Sequence, residues 1–302
     1  MMSKKTNWKN TALQKQLAYR NKLGLTACGK FGKKDYDHIL SDEDAKDGKN
    51  FYCFSDVQEW GALQDWATES RGKKVNFMGT GMKNLLRSEH IPYNFFYPLE
   101  KIRKQSPNSL NSFLTKLCRS QIRVDKVNHI KIEYAGDYHK NDLLSDNTSF
   151  DIFIEYQEGG STCGLGIEVK YTEKSYPFGV TEKERMADPE SIYNKLSKRS
   201  RFYKKEMIAK LRTTKLKQAW RNHLLGIKLT DKKGFKKFHS VHLYPEGNTY
   251  QYDVCKEYME CLNVEFQQYF IPITFEWFVE TAEKELTDVN NLDWLQYLKD
   301  RY

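Results

Sequence analysis

Apolar positions along the chain fall into two periods, and the two predict different elements. Helical spacing appears first over Trp8–Leu23, with Leu13, Leu17 and Leu23 on one face, and then over Asp56–Ser70, with Trp60, Leu63, Trp66 and Ala67. A dense apolar stretch, LLRSEHIPYNFFYPLEKI, predicts a helix in which Ser88 is the N-cap, Glu89 lies in the first turn and Pro92 is tolerated near that turn. Residues 108–122 and Ser191–Leu211 also read as helices. The clearest pattern is Thr214–Ile227, where Leu216, Ala219, Trp220, His223, Leu224 and Ile227 recur at helical intervals. Between these, β-branched and aromatic runs predict strands over Val127–Ala135, Phe150–Tyr156, Cys163–Thr172 and Phe238–Tyr244, with an apolar edge at Tyr269–Ile273. Residues 26–50 read as loop or short strands, and helices are expected over Tyr250–Leu262, from Thr274, and over Asn291–Tyr302.

One hairpin carries chemistry. Glu158-Gly159-Gly160-Ser161 supplies turn residues between the strands Phe150–Tyr156 and Cys163–Thr172. Alternation puts Asp151, Phe153 and Glu155 on one face of the first strand. On the second, Glu168 and Lys170 share a face, and Ile167, Val169 and Tyr171 form an apolar face that must be buried. Asp151 can then lie across from Glu168, with Lys170 about 6.6 Å further along the strand. Two carboxylates at one point suit a hard cation such as Mg²⁺, and a lysine beside them can hold or help deprotonate a metal-bound water. Charges on what reads as a central strand need such a reason.

Charge sharpens this picture. The chain of 302 residues carries a net charge of +9. Residues 183–237 hold 18 Lys or Arg against five Asp or Glu, so the positive field is concentrated just after the acidic hairpin, where a polyanion would lie. Lys198, Arg199 and Lys217 are candidate contacts within it. No apolar run reaches the roughly 18 residues of a membrane span. The N-terminus lacks the apolar core of a secretion signal. Six scattered cysteines without a C-x-x-C pair fit a reduced cytoplasm better than a zinc site or disulfide frame. His129 and His139 read as ordinary strand and loop residues.

Asp151 followed by Glu168-Val169-Lys170 resembles the D…(E/D)-x-K signature of the PD-(D/E)XK nuclease superfamily, in its restriction-endonuclease-like branch. Phe150 stands where the signature has proline. The resemblance covers roughly Met82–Ile273 and implies an α/β fold: an αβββαβ core with a mixed central sheet flanked by helices, plus an N-terminal helical elaboration. The expected division is residues 1–80 for that elaboration and 81–302 for the nuclease domain. The resemblance further implies that Asp151, Glu168 and the Val169 carbonyl hold Mg²⁺, for which Mn²⁺ can substitute, and that Lys170 positions the water. By similarity to an S-S-Q…N-L-F-P-L pattern it makes Glu89 an auxiliary site residue. In related nucleases the helix after the E-x-K strand carries a glutamine that contacts substrate or metal waters, which singles out Gln218 and the neighbouring Arg221.

The expectation is a metal-dependent endonuclease hydrolysing DNA, with RNA as a further possible substrate, cytoplasmic, in restriction or anti-phage defence. It would work as a homodimer or with a partner subunit. The competing expectations are an inactive nuclease-fold module that binds nucleic acid, a partner-dependent subunit of a larger complex, and a partner-binding protein with a basic face.

Overall fold

The computed structural model describes residues 7–287 and 291–302. Its central sheet has five strands: β3 (Lys126–Tyr134), β4 (Phe150–Glu158), β5 (Ser161–Val169), β6 (Phe238–Tyr244) and β7 (Phe270–Thr274). They follow a separate antiparallel hairpin made by β1 (Cys28–Phe31) and β2 (Lys34–Leu40). The sheet order is β3-β4-β5-β6-β7, antiparallel through β5 and parallel from β5 to β7. The chemistry follows from that mixture. A two-residue turn joins β4 to β5, with Gly159 and Gly160 both at positive φ (57° and 77°), as an asparagine- or glycine-type hairpin requires. A parallel neighbour needs a long crossover, and the segment between β5 and β6 contains the helix Lys217–Lys233, which ends at Gly234 with φ 68°.

Both faces of the sheet are covered. Ile130, Ile132, Ile152, Ile154, Leu165, Ile167, Val169, Val241 and Ile271 join a core with the helices Val57–Arg71, Ile91–Gln105, Pro107–Leu117, Phe275–Glu285 and Leu292–Arg301. Phe150, Phe153 and Phe238 join a second core with the helices Ile192–Ser200, Lys217–Lys233 and Thr249–Cys261. The apolar face expected at Ile167, Val169 and Tyr171 is buried, each residue at most 1% exposed.

Strict alternation fails at the site. Phe150 and Ile152 should share a face, yet they pack into opposite cores. The break falls at Asp151, between the pairs Ile132↔Ile152 and Tyr134↔Phe150. Glu133, between the same two pairs, sits at φ 45°, a conformation a non-glycine residue adopts at a cost. The residue out of step is Phe150, which joins Phe153 in the second core.

Two helices also differ from expectation. The expected Ser88 cap does not form: the helix begins at Ile91, with His90 at its N-cap position and Pro92 in its first turn, and Ser88 lies in the turn before it, its N–H donating to the Glu173 carboxylate. The expected helix Ser191–Leu211 is interrupted after Ser200. Arg201 is left-handed, and the next residues bond to 261–263: Lys204 N–H donates to the Cys261 carbonyl (2.9 Å), and Asn263 N–H to the Phe202 carbonyl (2.8 Å). Backbone pairing at a distance overrides helical propensity there.

Close approach between the helix Lys217–Lys233 and the sheet depends on glycine. A Cβ on Gly226 would lie 1.9 Å from the Phe238 ring, and one on Gly166 would lie 2.5 Å from the Phe150 ring. The N-terminal helix Trp8–Lys22 is tied to the end of β5. The Trp8 indole N–H donates to the Tyr171 carbonyl (2.8 Å), and the Gln16 amide donates to the Tyr171 hydroxyl (3.0 Å).

Candidate active site

Asp151, Glu168 and Lys170 meet at one end of the β4–β5 hairpin. The pairing Ile152↔Ile167 makes Asp151 and Glu168 the next facing residues. Asp151 Oδ2 accepts the Val169 N–H at 2.7 Å, which ties the first acid to the residue between the other two. Lys170 follows the last residue of β5 and still continues the ladder, since its N–H donates to the Leu243 carbonyl of β6 (2.9 Å). Its ammonium pairs with Glu168 Oε1. Glu168 is 4% and Lys170 8% exposed, while Asp151 remains partly open to solvent.

Electrostatics divide the labour. Burial pushes the Asp151 carboxyl well above the usual carboxylate range, and the Glu168 charge adds to this. Lys170 and the Val169 N–H oppose the shift without cancelling it. Burial alone would lower Lys170, but Glu168, then Asp151 and Glu173, outweigh it and hold the ammonium charged. In this arrangement Lys170 is a donor and a positive charge. The sequence reading left open that it helps deprotonate a water; as an ammonium it holds no free lone pair to do so.

The donor set fits a hard divalent cation. Burial first, and the neighbouring Glu168 charge with it, raise the Asp151 carboxyl, and a cation between the two carboxylates relieves both. Beside Glu168, the Asn222 Oδ1 is buried without a partner. Among the described residues no group of three or more His, Cys, Asp or Glu gathers as a ready metal cluster. The fit is therefore to an ion such as Mg²⁺, which takes one or two carboxylates and keeps several waters.

The other expected residues lie as follows. Gln218 reaches the site's edge: it lines, with Lys170 and His242, a cavity of about 20 Å³, room for a single water. Glu89 makes no contact with Asp151 or Glu168 in the described structure. Its carboxylate is held by Arg87 through three contacts of 2.8 to 3.2 Å, and Arg87 in turn lies 3.7 Å from Glu173. Arg221 is turned inward, bonded to Thr148 (2.8 and 3.0 Å), Asp146 (2.9 Å) and Glu182 (2.9 Å). Lys217 is 4% exposed and pairs with Glu182 at 2.9 Å. Both side chains are turned to protein partners, Asp146 and Thr148 just before β4 and Glu182 in the helix Val180–Ala187. Lys198 and Arg199 are exposed on the helix Ile192–Ser200, and Arg199 pairs with Asp231.

Two polar residues at the site carry no mark in the sequence reading. Asn222 is 1% exposed and donates from Nδ2 to Glu168 Oε2, so Glu168 is gripped on both oxygens. It lies one helical turn beyond Gln218, on the same side of the helix, and that spacing is the signal that could have found it. His242 is the β6 neighbour of Glu168. Gln251 donates to the Glu173 carbonyl (2.8 Å), which fixes its amide and leaves its oxygen to face His242 Nε2 at 3.0 Å. His242 therefore carries its proton on Nε2, and burial pushes its pKa down to about 4. Truncating Asn222→Ala is expected to lower cleavage about tenfold and stability by about 1–3 kcal/mol, the cost of stripping a buried partner from Glu168. Denaturant melts beside initial rates would show both.

The comparisons with known proteins bear on the family of the chain. A family model described as PD-(D/E)XK nuclease superfamily matches residues 3–302. The chain belongs to the PD-(D/E)XK nuclease superfamily. The five-stranded mixed sheet flanked by helices is the restriction-endonuclease-like fold of that superfamily. Neither a curated protein nor a solved structure matches the chain. Superfamily membership supports nuclease chemistry on a nucleic acid, typically with divalent metal ions. No helix among the described residues is long and apolar enough to cross a membrane.

Proposed function

We propose that this chain is a metal-dependent endonuclease that hydrolyses DNA phosphodiesters, with Mg²⁺ as its ion and Mn²⁺ as a substitute. The observation that carries the reading is the juxtaposition of Asp151, Glu168 and the charged Lys170 at one end of a buried hairpin. Asp151, Glu168 and the Val169 carbonyl would hold the ion. When bound, it supplies a Lewis acid for the phosphate and a nucleophilic water at neutral pH. The protein's own groups do the rest. Lys170, held charged, orients the attacking water and offsets the negative charge that grows on the phosphoryl oxygens. Asn222 fixes the Glu168 carboxylate, and Gln218 borders the water-sized cavity beside Lys170. The basic surface, including Lys198, favours approach of a polyanion. The six cysteines are free, which fits a reducing compartment such as the cytoplasm, where DNA restriction or defence would take place.

Supercoiled plasmid incubated with the protein should be nicked or linearised with Mg²⁺ or Mn²⁺ and left intact with EDTA. Plasmid that stays supercoiled with both metals, while still bound by the protein, would count for an inactive nucleic-acid-binding module instead.

A further inference from the structure

The β1–β2 hairpin stands apart from the central sheet, and its tip has no structural task. Phe31 and Lys34 close the strands, and Gly32 at φ 62° takes the first loop position, the requirement of a two-residue turn with glycine there. Phe31 is 63% exposed; no other phenylalanine among the described residues is so exposed. Lys30, Lys33 and Lys34 surround it, all exposed, and none has an ion-pair partner among the described residues. An aromatic ring left in water costs free energy, and three unpaired lysines around it oppose self-association.

The tip also adjoins the site. Phe31, Tyr36, His38, Lys9, Arg87 and Glu89 line a cavity of about 480 Å³, within the range of small-ligand pockets. Arg87 leads from this cavity to the site. Its guanidinium lies over the Tyr176 ring, 5.4 Å from the centroid, and Tyr176 lines the water-sized cavity together with Lys170. A track of alternating cationic and aromatic groups thus runs from Lys170 through Tyr176 and Arg87 to Tyr36 and Phe31.

We infer that this track is a path for the substrate strand beside the site, with Phe31 stacking on an unpaired base and Lys30, Lys33 and Lys34 contacting its phosphates. The inference rests on the nuclease reading above and names the form of nucleic acid beside the cut: a strand with exposed base faces. Stacking suits that role because every base presents a π-face, while the lysines answer the one feature all such strands share, their phosphates. The same arrangement accounts for Arg87, which holds Glu89 and so keeps the cavity wall from repelling a polyanion.

The test is metal-free binding of a labelled single-stranded oligonucleotide to the full chain, followed by fluorescence anisotropy across a salt series. Phe31→Ala should weaken binding about tenfold, and Phe31→Tyr should stay near wild type. Lys33→Ala combined with Lys34→Ala should flatten the dependence of log Kd on log salt by roughly 1.4. A fluorescent base analogue in the strand should be quenched by wild type and not by Phe31→Ala. Wild-type binding that none of these variants changes would overturn the track and leave the nuclease reading intact. Absence of nucleic-acid binding by wild type would remove both. A change in oligomeric state with Phe31→Ala, at unchanged affinity, would reassign the tip to contact between copies and also overturn the inference.

Discussion

Lys170→Met should reduce DNA cleavage by about 10²–10³-fold or more while leaving metal-free DNA affinity within a few-fold of wild type. Methionine keeps the length and apolar stem of the lysine in a place only 8% exposed, and it removes the charge. The loss should appear in the rate at saturating DNA, because in the proposed mechanism Lys170 acts on charge that develops during reaction rather than on the bound ground state. The substitution also strips Glu168 of its ammonium partner. Removing one member of a buried pair costs about 3–5 kcal/mol, so a thermal melt belongs beside the kinetics. A Lys170→Met protein that folds and cuts at the wild-type rate would place the chemistry elsewhere.

Asp151→Asn separates folding from function in the opposite sense. The folded chain holds the Asp151 carboxyl well above its ordinary range. As pH rises, the unfolded chain therefore releases this proton first, and the folded chain binds more protons within the window between the two pKa values. By linkage, stability falls as pH rises through that window, and the penalty is fully present above the folded value. Asparagine removes the penalty while its carbonyl still accepts the Val169 N–H. In EDTA at neutral pH the variant should melt higher than wild type. At a pH below the ordinary carboxylate range the two should melt alike. Added Mg²⁺ should raise the wild-type melting temperature and not that of Asp151→Asn, and cleavage should fall by about 10²-fold or more. A variant less stable than wild type at neutral pH would refute the account of Asp151 as a carboxyl stressed by burial and by the Glu168 charge.

How legible the molecule was depends on the range of the interactions involved. The hairpin could be read because its information is local: Gly159-Gly160 sets the turn, and the apolar alternation of Ile167, Val169 and Tyr171 sets the register that brings Asp151 to Glu168. The helix expected over Thr214–Ile227, which runs over Lys217–Lys233, and the strand β6 were legible for the same reason. The interruption after Ser200 was hidden, since it follows from backbone pairing with residues some sixty positions away. Glu89 was misplaced because a turn residue and a first-turn residue look alike until Ser88 is seen to bond with Glu173. Lys217 and Arg221 read as surface charge, and only the folded chain reveals Asp146 and Glu182 against them. Asn222 sits among apolar positions of a helix, 54 residues from the acid it holds, and only its one-turn spacing from Gln218 marks it.

The glycines between helix and sheet act as a gauge. Gly226 lies one helical turn after Asn222, and Gly166 lies two residues before Glu168. Each brings the helix and strand nearer than any larger side chain allows, against Phe238 and Phe150. That separation sets the length of side chain able to span from helix to acid, and an asparagine, one methylene shorter than glutamine, fills it. A lineage that enlarged either glycine would have to lengthen residue 222 in step. Helix, strand and acid are therefore free to change only as a set, and the tolerance of the Glu168 carboxylate is written in residues that never touch it.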